Sequence, residues 1–227
     1  MNPIIGIVGK SDHSYKNKST ICVFDNYRKA ILEYGGIPIM ILPPQIVDYE
    51  KEKGKEIGHL TENDKNILNT QLKLCDGLLI QGGSKAFEYD KYICEYANKF
   101  NIPLLGICMG MQIMCNYDND NKNILNENKI HKSENMNEVH EVTLDKNSKL
   151  FSIIKKETFQ VNSNHNYHVP NSGSYKTVGK SFDNLIEAIE KENGFNIGVQ
   201  WHPEKQYKSD VSKAIFEAFI EETKKGK

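Results

Sequence analysis

The sequence predicts one mixed-sheet α/β domain, and three observations carry that reading. In the first half, continuous apolar runs alternate with longer stretches whose apolar residues recur at helical spacing. That is the pattern of a parallel sheet covered by helices on both faces. In the second half the strand-like runs lie closer together, with few helical stretches between them, as antiparallel strands do. The length, 227 residues, suits one generous domain better than two very small ones.

Taken in order, Ile4–Val8 reads as a buried strand, because the opening stretch lacks both the basic n-region and the length of a secretion signal. A helix is expected over Thr20–Tyr34, closed by Gly35 and Gly36. Strand Ile37–Leu42, helix Thr61–Leu74 and strand Gly77–Ile80 follow, the last introduced by Asp76-Gly77. Helix Phe87–Phe100 then leads to strand Ile102–Ile107, with Pro103 at its entrance. Asp118–Asn128, rich in Asn and Asp, reads as a surface loop rather than a linker, since strands resume beyond it. Those strands are Val139–Leu144, Thr158–Val161, Tyr175–Phe182, Ile186–Glu190 and Ile197–Gln200. A closing helix runs from Ser209 to Thr223, with Val211, Ile215, Phe216, Phe219 and Ile220 on one face.

Composition excludes several classes. Lys and Arg number 29 against 30 Asp and Glu, a net charge of −1, and Arg28 is the sole arginine. That balance lacks the basic footprint of a nucleic-acid binder. No apolar stretch approaches the roughly 18 residues of a membrane span. Cys22, Cys75, Cys94, Cys108 and Cys115 are odd in number, scattered and free of CxxC pairs, so reduced thiols in a cytoplasmic protein are expected.

The chemistry concentrates in two segments. In Leu104-Leu-Gly-Ile-Cys-Met-Gly-Met-Gln112 a strand runs into Gly106-x-Cys108-x-Gly110 and then into a helical pattern. This is a nucleophile elbow with Cys in place of Ser, its glycines allowing a tight strand-to-helix turn. At a helix N-terminus the dipole favours thiolate over thiol. A buried core Cys is the plain alternative. In Gly198-Val-Gln-Trp-His202-Pro-Glu204, a histidine ends an apolar strand and Pro203 bends the chain, so that Glu204 folds back on the imidazole. A carboxylate there fixes the tautomer and stabilises the imidazolium. A third segment, Ile80-Gln-Gly-Gly83, ends a strand in two glycines. Its backbone N–H groups, with that of Met109, can donate to a developing oxyanion, though Gly-Gly is equally a plain turn.

Both Gly106–Gln112 and Gln200-Trp-His-Pro-Glu204 resemble the motifs of the class I glutamine amidotransferase-like family, whose triad is Cys, His and Glu. The resemblance spans essentially the whole chain and is nearest the γ-glutamyl hydrolase branch, which includes the γ-glutamyl-γ-aminobutyrate hydrolases. Pro3-Ile-Ile-Gly-Ile7, Gly35-Gly-Ile-Pro38, Val139-His-Glu-Val142 and Val161-Asn-Ser163-x-His165 carry that likeness. The resemblance implies a flavodoxin-like sheet, Cys108, His202 and Glu204 as catalytic residues, and Gly83 and Met109 as the oxyanion hole. It further implies Gly82, Gln112, Asn164, His165 and Tyr167 around the substrate. Three departures surround that substrate: Met109 where the branch often carries Arg, a short Ser84–Tyr89 connection, and Tyr167 where Gln is common.

Other histidines are expected to be structural. His140 heads a strand and His168 lies at the surface or in packing. His13, His59 and His131 have no partner pattern, so no metal cluster and no cofactor are expected. The function expected is cysteine-dependent hydrolysis of the γ-glutamyl amide bond in a small molecule, without nucleic-acid or membrane partners and with a homodimer allowed. Two alternatives stand: a glutaminase subunit feeding ammonia to a separate synthase, and a non-catalytic binding or regulatory relative.

Overall fold

A computed structural model describes residues 1–12, 18–49, 57–117, 126–127, 131–132 and 139–225. The chain opens with β1 (Ile4–Val8), β2 (Lys10–Asp12), β3 (Thr20–Cys22), α1 (Asp25–Glu33) and β4 (Ile37–Ile41). Next come α2 (Glu62–Leu72), β5 (Gly77–Ile80), α3 (Glu88–Phe100), β6 (Leu104–Ile107) and α4 (Met109–Asn116). The second half holds β7 (Asn126–Glu127), β8 (His140–Leu144), α5 (Lys149–Ile154), β9 (Thr158–Val161) and β10 (Tyr167–His168). It ends with β11 (Lys176–Ser181), β12 (Ile186–Glu190), β13 (Asn196–Val199), a 3₁₀ turn at Pro203–Gln206 and α6 (Asp210–Lys224).

Nine strands form one sheet in the order β4-β1-β5-β6-β13-β12-β11-β8-β9. The first five are parallel, and the pairings from β13 to β9 are antiparallel. Numbered among themselves the parallel strands run 2-1-3-4-5, the flavodoxin-like doubly wound order. Tyr27, Ala30 and Ile31 of α1 pack on one face with Ile215, Phe216, Phe219 and Ile220 of α6. Leu68 and Leu72 of α2, Ile93, Cys94 and Ala97 of α3, and Met111, Ile113 and Met114 of α4 cover the other. Each buried Leu, Ile, Met or Phe among them contributes about 1.5–3 kcal/mol, so the two layers hold the sheet.

Local chemistry sets the boundaries. Thr61 and Asp64 form a reciprocal capping box at the start of α2, and Ser209 caps α6 by accepting from Ser212 N–H. The helix expected from Thr20 begins at Asp25; Thr20–Cys22 instead pairs antiparallel with Lys10–Asp12. The β-branched Thr20 and Ile21 suit that ribbon, and Phe24, in extended conformation, marks the true helix start. Helix α5, capped by Ser148, was not expected. The loop expected at Asp118–Asn128 lies outside the described residues except for Asn126–Glu127, which pair with Tyr167–His168. No helix among the described residues is long and apolar enough to cross a membrane.

Candidate active site

All the reactive groups sit where parallel strands end. Strand β6 delivers Cys108, whose φ of 54° and ψ of −109° put it outside the usual regions for a side-chain-bearing residue. The turn is enforced by close approach. A Cβ on Gly110 would stand 2.0 Å from the Ile80 carbonyl oxygen, and one on Gly106 would meet Met114 and the Gly110 backbone. Only glycine fits either place, so α4 is held hard against β5 and β6 while Cys108 Sγ is lifted off the sheet. Cys108 N–H donates to the Val199 carbonyl at 2.8 Å, tying the elbow to the strand that carries His202. Met109 opens α4, and its N–H belongs to the first turn, which lacks intrahelical acceptors.

Strand β13 ends in Gln200-Trp201-His202, and the Pro203–Gln206 turn reverses the chain. His202 Nδ1 lies 2.7 Å from Glu204 Oε1, both side chains being buried. Because the carboxylate accepts, Nδ1 carries the proton and Nε2 is left for other work. Asn162 clamps the His202 backbone twice, accepting from its N–H at 2.9 Å and donating to its carbonyl at 2.8 Å. Burial opposes charging of His202, but Glu204 and Cys108 outweigh it and raise its pKa from the ordinary 6.5 to about 10. The imidazolium is therefore the favoured form at neutral pH.

A cavity of about 380 Å³ joins these groups. Cys108, His202 and Glu204 line it together with Gly82, Gly83 and Asn164, and with Phe24, Asn26, Tyr27 and Lys205. A larger hollow of about 570 Å³ near residues 42–49 has neither cysteine nor histidine among its described lining residues; its Ser19 hydroxyl donates to Asp48.

Three expected substrate contacts are placed elsewhere. Gln112 is buried and donates to the Tyr167 carbonyl at 2.9 Å and to Gln200 Oε1 at 3.0 Å, bracing α4 rather than facing the cavity. His165 turns its Nδ1 to the same Tyr167 carbonyl and its other nitrogen toward Glu187. Tyr167 offers that carbonyl, and its side chain is not among the cavity-lining groups. Nor is the expectation of unclustered histidines kept: His131, His140 and His165 converge on Glu187. His59 lies at the surface, 3.3 Å from Glu88, and His13 lies outside the described residues.

Two residues had no signal of their own in the sequence. Tyr27 looks like one more apolar position of α1, yet its hydroxyl accepts the Gly82 N–H at 2.9 Å. Burial, then the facing Glu204 carboxylate, holds its phenol well above the ordinary range, so it stays protonated. Gln81 donates to the Val8 and Cys22 carbonyls at 2.8 and 2.9 Å and accepts from Phe24 N–H at 3.1 Å, fixing the glycine turn against β3 and the start of α1. Both act across more than fifty residues of chain, a relation no local pattern reveals.

Residues 87–204 match the Peptidase C26 family, and that span holds more than half the chain and every residue of the elbow and the His202–Glu204 turn. A protein of Schizosaccharomyces pombe described as a candidate glutamine amidotransferase is 30% identical over 212 residues, covering 87% of this chain and 81% of its own length. CTP synthase of Flavobacterium psychrophilum is 31% identical over 69% of this chain, but only 36% of the synthase is matched. The chain thus spans about a third of that relative. The glutaminase domain of the Trypanosoma brucei CTP synthase superposes with a TM-score of 0.67 over 98% of this chain and 94% of its own, at 17% identity, a likeness of fold. With the elbow, the paired histidine and the doubly wound sheet in place, these matches make the chain a member of the Peptidase C26 family, a glutamine amidotransferase-like hydrolase domain.

Proposed function

We propose that the protein hydrolyses the γ-glutamyl amide bond of small γ-glutamyl compounds through a thioester on Cys108. One observation carries the reading: a cysteine on a strained elbow shares a cavity with a histidine whose far nitrogen is engaged by a carboxylate at 2.7 Å. In the proposed route Cys108 Sγ attacks the γ-carbonyl carbon, and the oxyanion is held by the N–H groups of Gly83 and Met109. His202 gives its Nε2 proton to the amine nitrogen as the C–N bond breaks, leaving a γ-glutamyl thioester. Water then attacks that carbonyl, His202 takes its proton, and the C–S bond breaks to release glutamate and the thiolate. Glu204 holds the imidazole in one tautomer throughout. None of these steps calls on a cofactor.

Among the residues lining the cavity the cation is Lys205, and the arginine frequent in the γ-glutamyl hydrolase branch is absent. A single flexible ammonium rewards a carboxylate less than a bidentate guanidinium. Broad use of γ-glutamyl amines follows, without a strict need for a terminal acid. The second reading, a glutaminase that passes ammonia to a separate synthase, draws on the identity to CTP synthase. Assaying glutamine, γ-glutamyl-γ-aminobutyrate and a γ-glutamyl alkylamine of equal length separates them. The first reading expects turnover of the substituted amines by the isolated chain. Turnover of glutamine alone would replace it with the second, and turnover of none would refute both for the isolated chain.

A further inference from the structure

Strand β12, Ile186–Glu190, is buried along its whole length, yet it carries two carboxylates. Glu190 is accounted for: its oxygens accept the N–H groups of Lys149 and Leu150 at 2.9 Å each, capping α5. Glu187 is not. It is fully buried and neither oxygen has a hydrogen-bond partner among the described residues. An ionised carboxylate so placed requires protons or a cation.

Three imidazoles surround it. Glu187 Oε1 lies 3.7 Å from His131 Nδ1, 3.6 Å from His140 Nε2 and 3.7 Å from His165 Nε2, too far for hydrogen bonds. The outer nitrogen of each ring faces an acceptor. His140 Nδ1 is 3.2 Å from the Glu141 carbonyl, and His165 Nδ1 is 2.9 Å from that of Tyr167. His131 Nε2 is 3.2 Å from the Asp183 carboxylate. Carbonyls and carboxylates only accept, so the outer nitrogens carry the protons and the inner ones present lone pairs. The Ser163 hydroxyl, 3.3 Å from His131 Nδ1, donates instead to the His131 carbonyl at 2.8 Å. Three lone pairs and a carboxylate thus face one point without a donor between them.

We propose that His131, His140, His165 and Glu187 form a structural site for one divalent transition-metal ion, zinc by its donor set. The four ligand atoms lie within 4.8 Å of one another and all four residues are buried. Ligands of a tetrahedral zinc at about 2.0–2.1 Å sit about 3.4 Å apart, so the three carboxylate–imidazole separations of 3.6–3.7 Å are already near that value, and the ring nitrogens, within 4.8 Å of one another, would draw together by up to about 1.4 Å on binding. Imidazole and carboxylate without sulfur suit zinc, and four protein ligands leave no position open for chemistry. Asp183 behind His131 is the outer-shell carboxylate such sites use to orient a ligand. The site would tie His131 to the segment that begins with Asn162, the clamp on His202, and continues through Asn164, which lines the catalytic cavity.

The test uses the full chain with Cys108→Ser, so that no active-site thiolate competes, stripped by chelator and checked for native far-UV circular dichroism. Zinc is titrated against a chromophoric competitor, and cobalt(II) is added to a parallel sample. The site predicts one equivalent per chain, ligand-field bands of a tetrahedral nitrogen–oxygen centre without thiolate charge transfer, and a Tm raised by about 5–10 °C at a hundred times Kd. Asp183→Asn should weaken binding by about 10–100-fold. Glu187→Gln should weaken it further while still folding, because its amide can donate to the inward lone pairs. A folded chain that takes up no metal, or one whose affinity is unchanged by Glu187→Gln, would overturn the proposal.

Discussion

Two regions of this molecule are built from histidine and glutamate, and they differ in what lies between those groups. At His202 the carboxylate stands 2.7 Å from the ring nitrogen, a hydrogen bond with a proton in it. At Glu187 the nearest ring nitrogens stand at 3.6–3.7 Å, with their protons turned outward. The deciding variable is the acceptor on the far side of each ring. Glu204 itself accepts the Nδ1–H of His202, leaving Nε2 facing the cavity side, whereas backbone carbonyls and Asp183 accept the outer N–H groups of the other three rings. The same residue types thus make a hydrogen-bonded pair lining a cavity and a donor-free nest in the antiparallel half.

The sharpest break between the regions is made at the nucleophile. Cys108→Ala should reduce hydrolysis by at least about a thousandfold, since removal of a covalent nucleophile leaves only binding and the oxyanion donors. Metal uptake at the Glu187 cluster should be unchanged. Parallel activity and metal assays on one preparation check both.

Glu204→Gln comes next, with kcat lowered by about 10²–10⁴ and KM changed little, because the carboxylate supports the imidazolium rather than the substrate. Stability carries a second signature. With its pKa raised from 6.5 to about 10, His202 contributes stability that is fully present below about pH 6.5 and is lost as pH rises through about 10. The fall in Tm between those limits should be shallower in Glu204→Gln, as seen in thermal melts across that range. Equal slopes would mean that Glu204 does not hold the proton on His202.

How much of this was legible in the sequence differs between the two regions for the same reason. The elbow and the His-Pro-Glu turn are contiguous motifs, each enforced by neighbours a few residues away, so Gly106, Cys108, Gly110, His202 and Glu204 could be read directly. The alternation of apolar runs likewise located four of the five parallel strands. The fifth, β13, is expected from the sequence among the antiparallel strands, yet it pairs parallel with β6 and antiparallel only with β12. The Glu187 cluster draws on residues 131, 140, 165 and 187, which meet because β8, β11 and β12 are neighbours in the sheet and because Lys132 bridges to Asn164 and His165 N–H donates to the His131 carbonyl. Nothing local marks His131 as different from His59. Thr20–Cys22 was misread because an apolar, β-branched stretch beside a helix satisfies either period. Gln112 and His165 lie in the right motifs, yet their side chains turn into the packing behind the cavity.

Smaller effects refine the catalytic side. Tyr27→Phe leaves the buried Gly82 N–H without its acceptor and should cost about 1–3 kcal/mol in urea unfolding, with kcat lowered by about tenfold as the glycine turn loosens. Lys205→Ala should lower kcat/KM for γ-glutamyl-γ-aminobutyrate relative to a γ-glutamyl alkylamine by less than tenfold, about 1.4 kcal/mol at most. A larger selective loss would make Lys205 a specific carboxylate anchor.

The most direct measurement is the mass of the chain during turnover. Rapid acid quenching in the presence of a γ-glutamyl amide should yield protein heavier by one γ-glutamyl group. That mass should map to the peptide bearing Cys108 and disappear on treatment with hydroxylamine. Sustained hydrolysis with no such adduct in the wild-type chain, and undiminished hydrolysis by Cys108→Ala, would contradict a thioester on Cys108.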